Sequence, residues 1–314
     1  MNYKPLSVDK LKRYALSERA SKVSLAALGA PHRAGASFAD FVNALPGFLA
    51  ADDIREIAKA CVTARKNGRP VLLGMGAHPI KVGLSPIIID LMRKGIITAF
   101  AGNGACIIHD FELALAGRTS EDVAQELTTG AFGMAIETGR ELNLALREGV
   151  KNGLGIGRAV GDHIVGHALP NRASSIFATA AELDIPASVH VTIGADIIHM
   201  HPEADGAAIG EGSMRDFRLL AAVVADLEGG VYINLGSAVV LPEVFLKALA
   251  VARNLGHTVE NITTVNMDFI QHYRPRENVL RRPTQLKGRN FALTGHHEIM
   301  FPLLAAMILE EYSK

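Results

Sequence analysis

The sequence predicts an α/β protein: a doubly wound, mainly parallel sheet preceded by an N-terminal helical arm. Three observations point there. Six or so short apolar strands alternate with helical stretches, as in a parallel sheet covered on both faces. The composition is aliphatic: 49% of the 314 residues are hydrophobic, only 5% are aromatic and there is no Trp. Ala and Gly are frequent enough for close helix–sheet packing. Gly beside polar residues also recurs where strands are expected to end.

The elements follow in order. Residues 1–50 read as an arm with short helices; 8–29 has weak helical spacing that ends at Ala30-Pro31-His32. Asp52 or Asp53 caps the next helix, with Ile54, Ile57, Ala58 and Cys61 at helical spacing and Asn67-Gly68 as its stop. Arg69-Pro70 leads into the strand VLLGMG. Ser85-Pro86 opens an Ile-rich helix, with Pro in the first turn where its missing N–H costs little. Residues 96–100 read as a strand, 102–105 as a turn, and a helix is expected to begin near His109-Asp110. Another helix opens at 119–122, and Gly153, Gly155 and Gly157 mark a flexible segment before Asp162-His163 and His167, read as a lid or helix cap.

A helix over 173–183 leads into the strand 188–193. Then come a helix (214–227), a strand (231–235), a helix (242–254), a strand (262–267), a polar loop (272–289), a strand (290–293) and a closing helix. No repeat or linker divides the chain, so 51–314 is expected to form a single domain.

Lys plus Arg equals Asp plus Glu, 32 against 32, which argues against a nucleic-acid partner. No apolar run reaches the ~18 residues of a membrane span. The first 20 residues do not read as a leader, and Cys61 and Cys106 sit in apolar contexts as reduced core residues. A cytoplasmic protein without nucleic-acid or membrane partners is expected.

Chemistry is expected at five strand-end turns: 74–78, 102–105, 194–196, 236–238 and 294–298. Gly there lets backbone approach a ligand and leaves N–H groups at helix starts free for an anion. The full dinucleotide fingerprint is absent, because Gly74-x-Gly76 lacks a third Gly. His78, His109, His190, His199, His201, His296 and His297 lie in or beside these turns. His199 and His201 would point the same way in an extended segment and offer two imidazoles to one metal, with His109-Asp110 or Glu298 completing the set. Ser237 is not set in a nucleophile elbow. Lys287 reads as a solvated lysine, and Arg274, Arg276, Arg281 and Arg282 as a solvated or subunit-contact loop.

The order of motifs from about Val71 onward resembles the deoxyhypusine synthase family, including homospermidine synthases. The likeness is carried by SPIIIDLMRKGIITAFAGNGA with HDFELAL, IPASVHVT, YINLGSAVV, TTVNMD and RNFALTGHHEIMFPLLAAMILE. It implies a Rossmann-like core that binds NAD, oxidation of a polyamine, transfer of its aminobutyl group through a lysine imine, and tetramers built from dimers. Carried over, NAD would contact His78, Lys81, Asn103, Gly104, Ala105, Gly236, Ser237, Ala238, Met267, Asp268 and His297.

Several expected groups are replaced. The carrier lysine falls at Pro283, the catalytic histidine at Pro242 and a cofactor-contacting aspartate at His296. Gly194-Ala195-Asp196 stands where an Asp-Gly would be, and the tryptophan is missing. The chain therefore resembles a divergent member that does not make deoxyhypusine: a homodimeric or homotetrameric enzyme using NAD on a small amine or alcohol. Its acid–base candidates are His109, Asp196, His199, His201 and His296. Two alternatives stand beside it. One is a metal-dependent hydrolase or lyase, with zinc on His199 and His201. The other is a non-catalytic nucleotide-binding protein.

Overall fold

The computed structural model describes residues 1–313. Six parallel strands form one sheet: β1 (Val71–Met75), β2 (Ala99–Asn103), β3 (Ala187–His190), β4 (Val231–Leu235), β5 (Thr263–Asp268) and β6 (Arg289–Thr294). Their order is β3-β2-β1-β4-β5-β6, with every neighbouring pair parallel. The doubly wound expectation is met, and the sheet is wholly parallel.

The helices are α1 (Phe38–Ala44), α2 (Leu49–Lys66), α3 (His78–Lys81), α4 (Ser85–Arg93), α5 (Gly104–Ala116), α6 (Val123–Leu127), α7 (Ile136–Lys151), α8 (Ile156–Gly166), α9 (Ile176–Glu182), α10 (Gly206–Ala225), α11 (Val240–Asn254), α12 (Tyr273–Pro275) and α13 (His297–Tyr312). Strand residues alternate between two cores, because successive side chains leave opposite faces. Val71, Leu73, Phe100 and Ile233 pack with α2, α4, α5, α8 and α13. Leu72, Ala99 and Tyr232 pack with α10 and α11. No helix among the described residues is long and apolar enough to cross a membrane. Cys61 and Cys106 are free and buried, and burial pushes the Cys61 thiol up to about 12.

Four local expectations change. Residues 1–26 are exposed throughout and hold only the 3₁₀ turns Leu16–Glu18 and Leu25–Ala27 in place of a helix. A short helix that packs no apolar face against the core does not hold in water, and the apolar side chains of this stretch, Leu6, Leu11 and Leu16 among them, are all exposed. The first α-helix is α1, capped by Ser37 and Asp40, and tied to α2 by Arg55, which donates to the Val42 and Leu45 carbonyls at 2.8 and 2.7 Å.

The Gly-rich segment is not a hinge. A Cβ on Gly155 would lie 1.8 Å from the Asp216 carboxylate, and one on Gly157 would lie 2.1 Å from the Ala187 carbonyl. These glycines permit close packing, and Asp162-His163 lies inside α8 rather than in a lid. The loop after β5 is helical, running through α12 into a π-helical turn at Arg276–Arg281. Finally, α5 starts directly at Gly104, five residues before the expected start near His109.

Candidate functional site

In this strand order the chain leaves β1 and β4 toward opposite faces, which opens a crevice between their carboxyl ends. The backbone closes tightly there. A Cβ on Gly76 would meet the Gly236 carbonyl at 2.7 Å, and one on Gly236 (φ +62) would meet the His297 ring at 2.7 Å. Only Gly satisfies both demands at 236.

His297 sits over this turn, 1% exposed. Its Nε2 is 3.5 Å from an Asp268 carboxylate oxygen, and neither ring nitrogen makes a hydrogen bond among the described residues. His78 packs edge-on at 5.3 Å and Phe269 at 5.6 Å. Burial, then the neighbouring His297, lowers the His78 pKa. Met267 is buried at the end of β5. His296 is mostly exposed, 3.8 Å from Glu298 and stacked parallel to Phe269. The Ser237 hydroxyl accepts the Leu241 N–H, so it serves as a cap for α11.

A row of amides, Asn234 and Asn266 buried and Gln271 half-buried, braces these strand ends. Asn234 donates to the Ser237 carbonyl at 2.9 Å and to Asn266 at 2.7 Å. Asn266 donates to Gln271 at 2.7 Å, and Gln271 to the Leu293 carbonyl at 3.0 Å. The row joins β4, β5 and β6.

The short α3 carries His78 at one end and Lys81 at the other. Lys81 lines a cavity of about 480 Å³ beyond the ends of β2 and β3. Ala105, His109, Glu112, Thr119 and Asp196 line it too, with Ile108, Val123, Phe132 and Ile197 forming apolar wall.

Within the cavity His109 Nδ1 is 2.7 Å from Thr119 Oγ1, and Thr119 Oγ1 donates to Glu112 Oε2 at 2.5 Å. Thr138 donates to the other Glu112 oxygen at 2.9 Å. Burial is the main influence on His109 and lowers its pKa; Glu112 raises it and Lys81 lowers it. The sequence reading missed Glu112 and Thr119. His109-x-x-Glu112 was a visible signal, since three residues apart is one helical face. Thr119 was not, because it returns to that face only after the chain reverses at Gly117, the left-handed C-cap of α5.

Asp196 is 8% exposed, with its carboxylate against the first turn of α5: a Cβ on Gly104 would lie 2.0 Å from Oδ2. Burial raises its pKa, while nearby His199 lowers it. This internal carboxylate occupies the helix start that the resemblance assigns to NAD through Asn103, Gly104 and Ala105. The crevice at Gly76 and Gly236, with the His297 nitrogens free of hydrogen bonds beside it, holds no such carboxylate at its backbone turn.

His199 and His201 do not form a pair. Residues Ile197–Met200 make a 3₁₀ turn, so the same-side geometry of an extended segment is lost. His199 Nδ1 accepts the Gly194 N–H at 3.2 Å. His201 Nε2 donates to the Gly133 carbonyl at 2.8 Å, its ring filling the space where a Gly139 Cβ would be. No group of three His, Cys, Asp or Glu among the described residues could hold a metal ion, so the zinc alternative has no ligand set.

No family model matches the sequence, and no curated protein matches it. Solved structures do match in fold. A protein from Entamoeba histolytica provisionally classed as a deoxyhypusine synthase is 12% identical, with a TM-score of 0.52 over 90% of this chain and 96% of that one. A LOR/SDH protein from Methanococcus maripaludis S2, also provisionally classed, is 18% identical, with a TM-score of 0.51 over 82% and 69%. AgrE, solved in a ternary complex with ornithine and NAD+, is 15% identical, with a TM-score of 0.52 over 83% of this chain. The present chain spans about a third of AgrE, matching 33% of it, and 31% of ArgZ, an arginine dihydrolase of cyanobacteria. At these identities the likeness is one of fold.

Proposed function

We propose that the chain is an NAD-dependent enzyme acting on a small amine or alcohol, divergent from deoxyhypusine synthases in its chemistry. The observation that carries this reading is the crevice between β1 and β4. Backbone closes there without side chains at Gly76 and Gly236, the two buried His297 nitrogens make no hydrogen bond, and α3 connects it to a cavity large enough for a small molecule. Bound NAD would supply hydride acceptance. The neighbour AgrE, crystallised with NAD+, is consistent with a dinucleotide on this fold.

The protein's own groups would do the rest. His78, Asp268 and His297 would meet the dinucleotide, and His109 would stand at the substrate. Aminobutyl transfer through a lysine is disfavoured by position. Pro283 is buried with its carbonyl accepting from Arg253, and exposed Lys287 is paired with Glu260 at 2.8 Å. An imine carrier requires an amine at the site.

Calorimetric titration with NAD+, followed by absorbance of NADH over a panel of amines and alcohols, tests the proposal. Saturable binding that is lost in Gly236→Val, with NADH formed from at least one compound, is the expected result. Binding without turnover would favour the nucleotide-binding protein, and absence of binding would overturn both readings.

A further inference from the structure

The row His109–Thr119–Glu112 has a direction that follows from its donors. A carboxylate only accepts, so the Thr119 hydroxyl spends its hydrogen on Glu112 Oε2. Thr119 Oγ1, 2.7 Å from His109 Nδ1, is left with lone pairs alone on that side. Nδ1 must therefore bring the hydrogen. In the neutral ring this leaves Nε2 without a proton, and Nε2 has no hydrogen-bond partner among the described residues.

Glu112 is itself anchored by Thr138, which is buried on α7, so the orienting carboxylate is held from two elements. Thr119 sits in the segment after α5, and His109 and Glu112 both line the cavity. A ring oriented through one nitrogen and open at the other is the arrangement general-base chemistry requires.

We infer that the cavity is a proton-transfer site, in which His109 Nε2 takes the proton of a substrate O–H or N–H group, with Thr119 and Glu112 as positioning residues that set its tautomer. In this step the O–H or N–H bond breaks and its electron pair stays on the substrate. Nε2–H forms, and the positive charge is shared over a ring whose Nδ1–H remains on Thr119. No oxidant is needed for the transfer itself. Burial, which lowers the His109 pKa, keeps the ring neutral and able to accept near neutral pH. The inference deepens the proposed enzyme reading by supplying its base, and its test needs neither NAD nor turnover.

The test is two-bond ¹H–¹⁵N correlation on the full-length protein labelled at histidine, with His109 signals assigned by their loss in His109→Gln. In the neutral ring the proton is expected on Nδ1. Glu112→Gln is expected to move it to Nε2. The amide oxygen would face the Thr138 hydroxyl and the NH₂ would donate to Thr119, whose hydroxyl then donates to Nδ1. Thr119→Ser should keep the wild-type tautomer, whereas Thr119→Val should lose the preference. A wild-type proton on Nε2, or an Nδ1 proton unmoved in both Glu112→Gln and Thr119→Val, would overturn the inference. Once a substrate is known, Glu112→Gln should lower kcat about 10²-fold with little change in KM. If NAD fails to bind while the tautomer pattern holds, the cofactor reading falls and the proton-transfer site stands.

Discussion

Asp216 on α10 is 1% exposed, and a single oxygen, Oδ2, accepts the N–H of Gly157 at 3.0 Å and of Val189 at 2.7 Å. It thereby fastens the start of α8 to β3. Burial raises its pKa to about 7 against the backbone bonds that lower it. A raised carboxyl contributes stability that is present below its unfolded value, near 3.8, and is lost as pH rises through about 7. Each unit of such a shift corresponds to ~1.4 kcal/mol. Asp216→Asn keeps an acceptor oxygen for both N–H groups and removes the ionisation. The variant should melt close to wild type near pH 4 and increasingly above it toward pH 8, as calorimetry at several pH values would show. Equal melting differences at both ends of that range would refute the burial argument. None of this was legible in the sequence, because the partners of Asp216 lie 59 and 27 residues away.

The segment 118–135 borders the cavity through Thr119, Val123, Phe132 and Ala135. Two bonds meet on one residue near its far end, the first within the segment and the second tying it to the chain after β3. Glu121 accepts the Gly133 N–H at 2.9 Å, and His201 donates to the Gly133 carbonyl at 2.8 Å. His201 is thus a fastener, and His201→Ala should release the segment without unfolding the sheet. Amide hydrogen exchange over 118–135 should quicken about 5-fold, the equivalent of the ~1 kcal/mol typical of one hydrogen bond, while β1 and β4 exchange as before. The sequence misled at this element for a physical reason. Period-2 spacing implies a shared face only if the backbone stays extended, and past β3 it tightens into a 3₁₀ turn. His109 and Asp196, both singled out from the sequence, do line one cavity, Asp196 from just beyond β3 and His109 from the second turn of α5, the helix that follows β2.

Across the whole sheet, alternation of apolar strands with helices carried enough information to predict the doubly wound architecture. A parallel strand must be buried on both faces, and that shows as unbroken runs such as VLLGM and VYINL. Strand order had no such local signature, and neither did the exposed arm. The amide row from β4 to β6 belongs to this larger scale, and its links all donate one way: Asn234 to Asn266, Asn266 to Gln271, Gln271 to a backbone carbonyl. The last acceptor cannot reverse, so it dictates the orientation of every amide upstream. Deamidation at the middle would therefore do more than remove one bond. In Asn266→Asp two acceptors would stand face to face. If Gln271 turned to relieve them, it would abandon Leu293. Asn266→Asp should consequently be less stable in urea than Asn266→Ala, although it is the closer match in shape. Ageing chemistry on one side chain would be read out as loosened spacing between three strands, at the end of the sheet where the crevice opens.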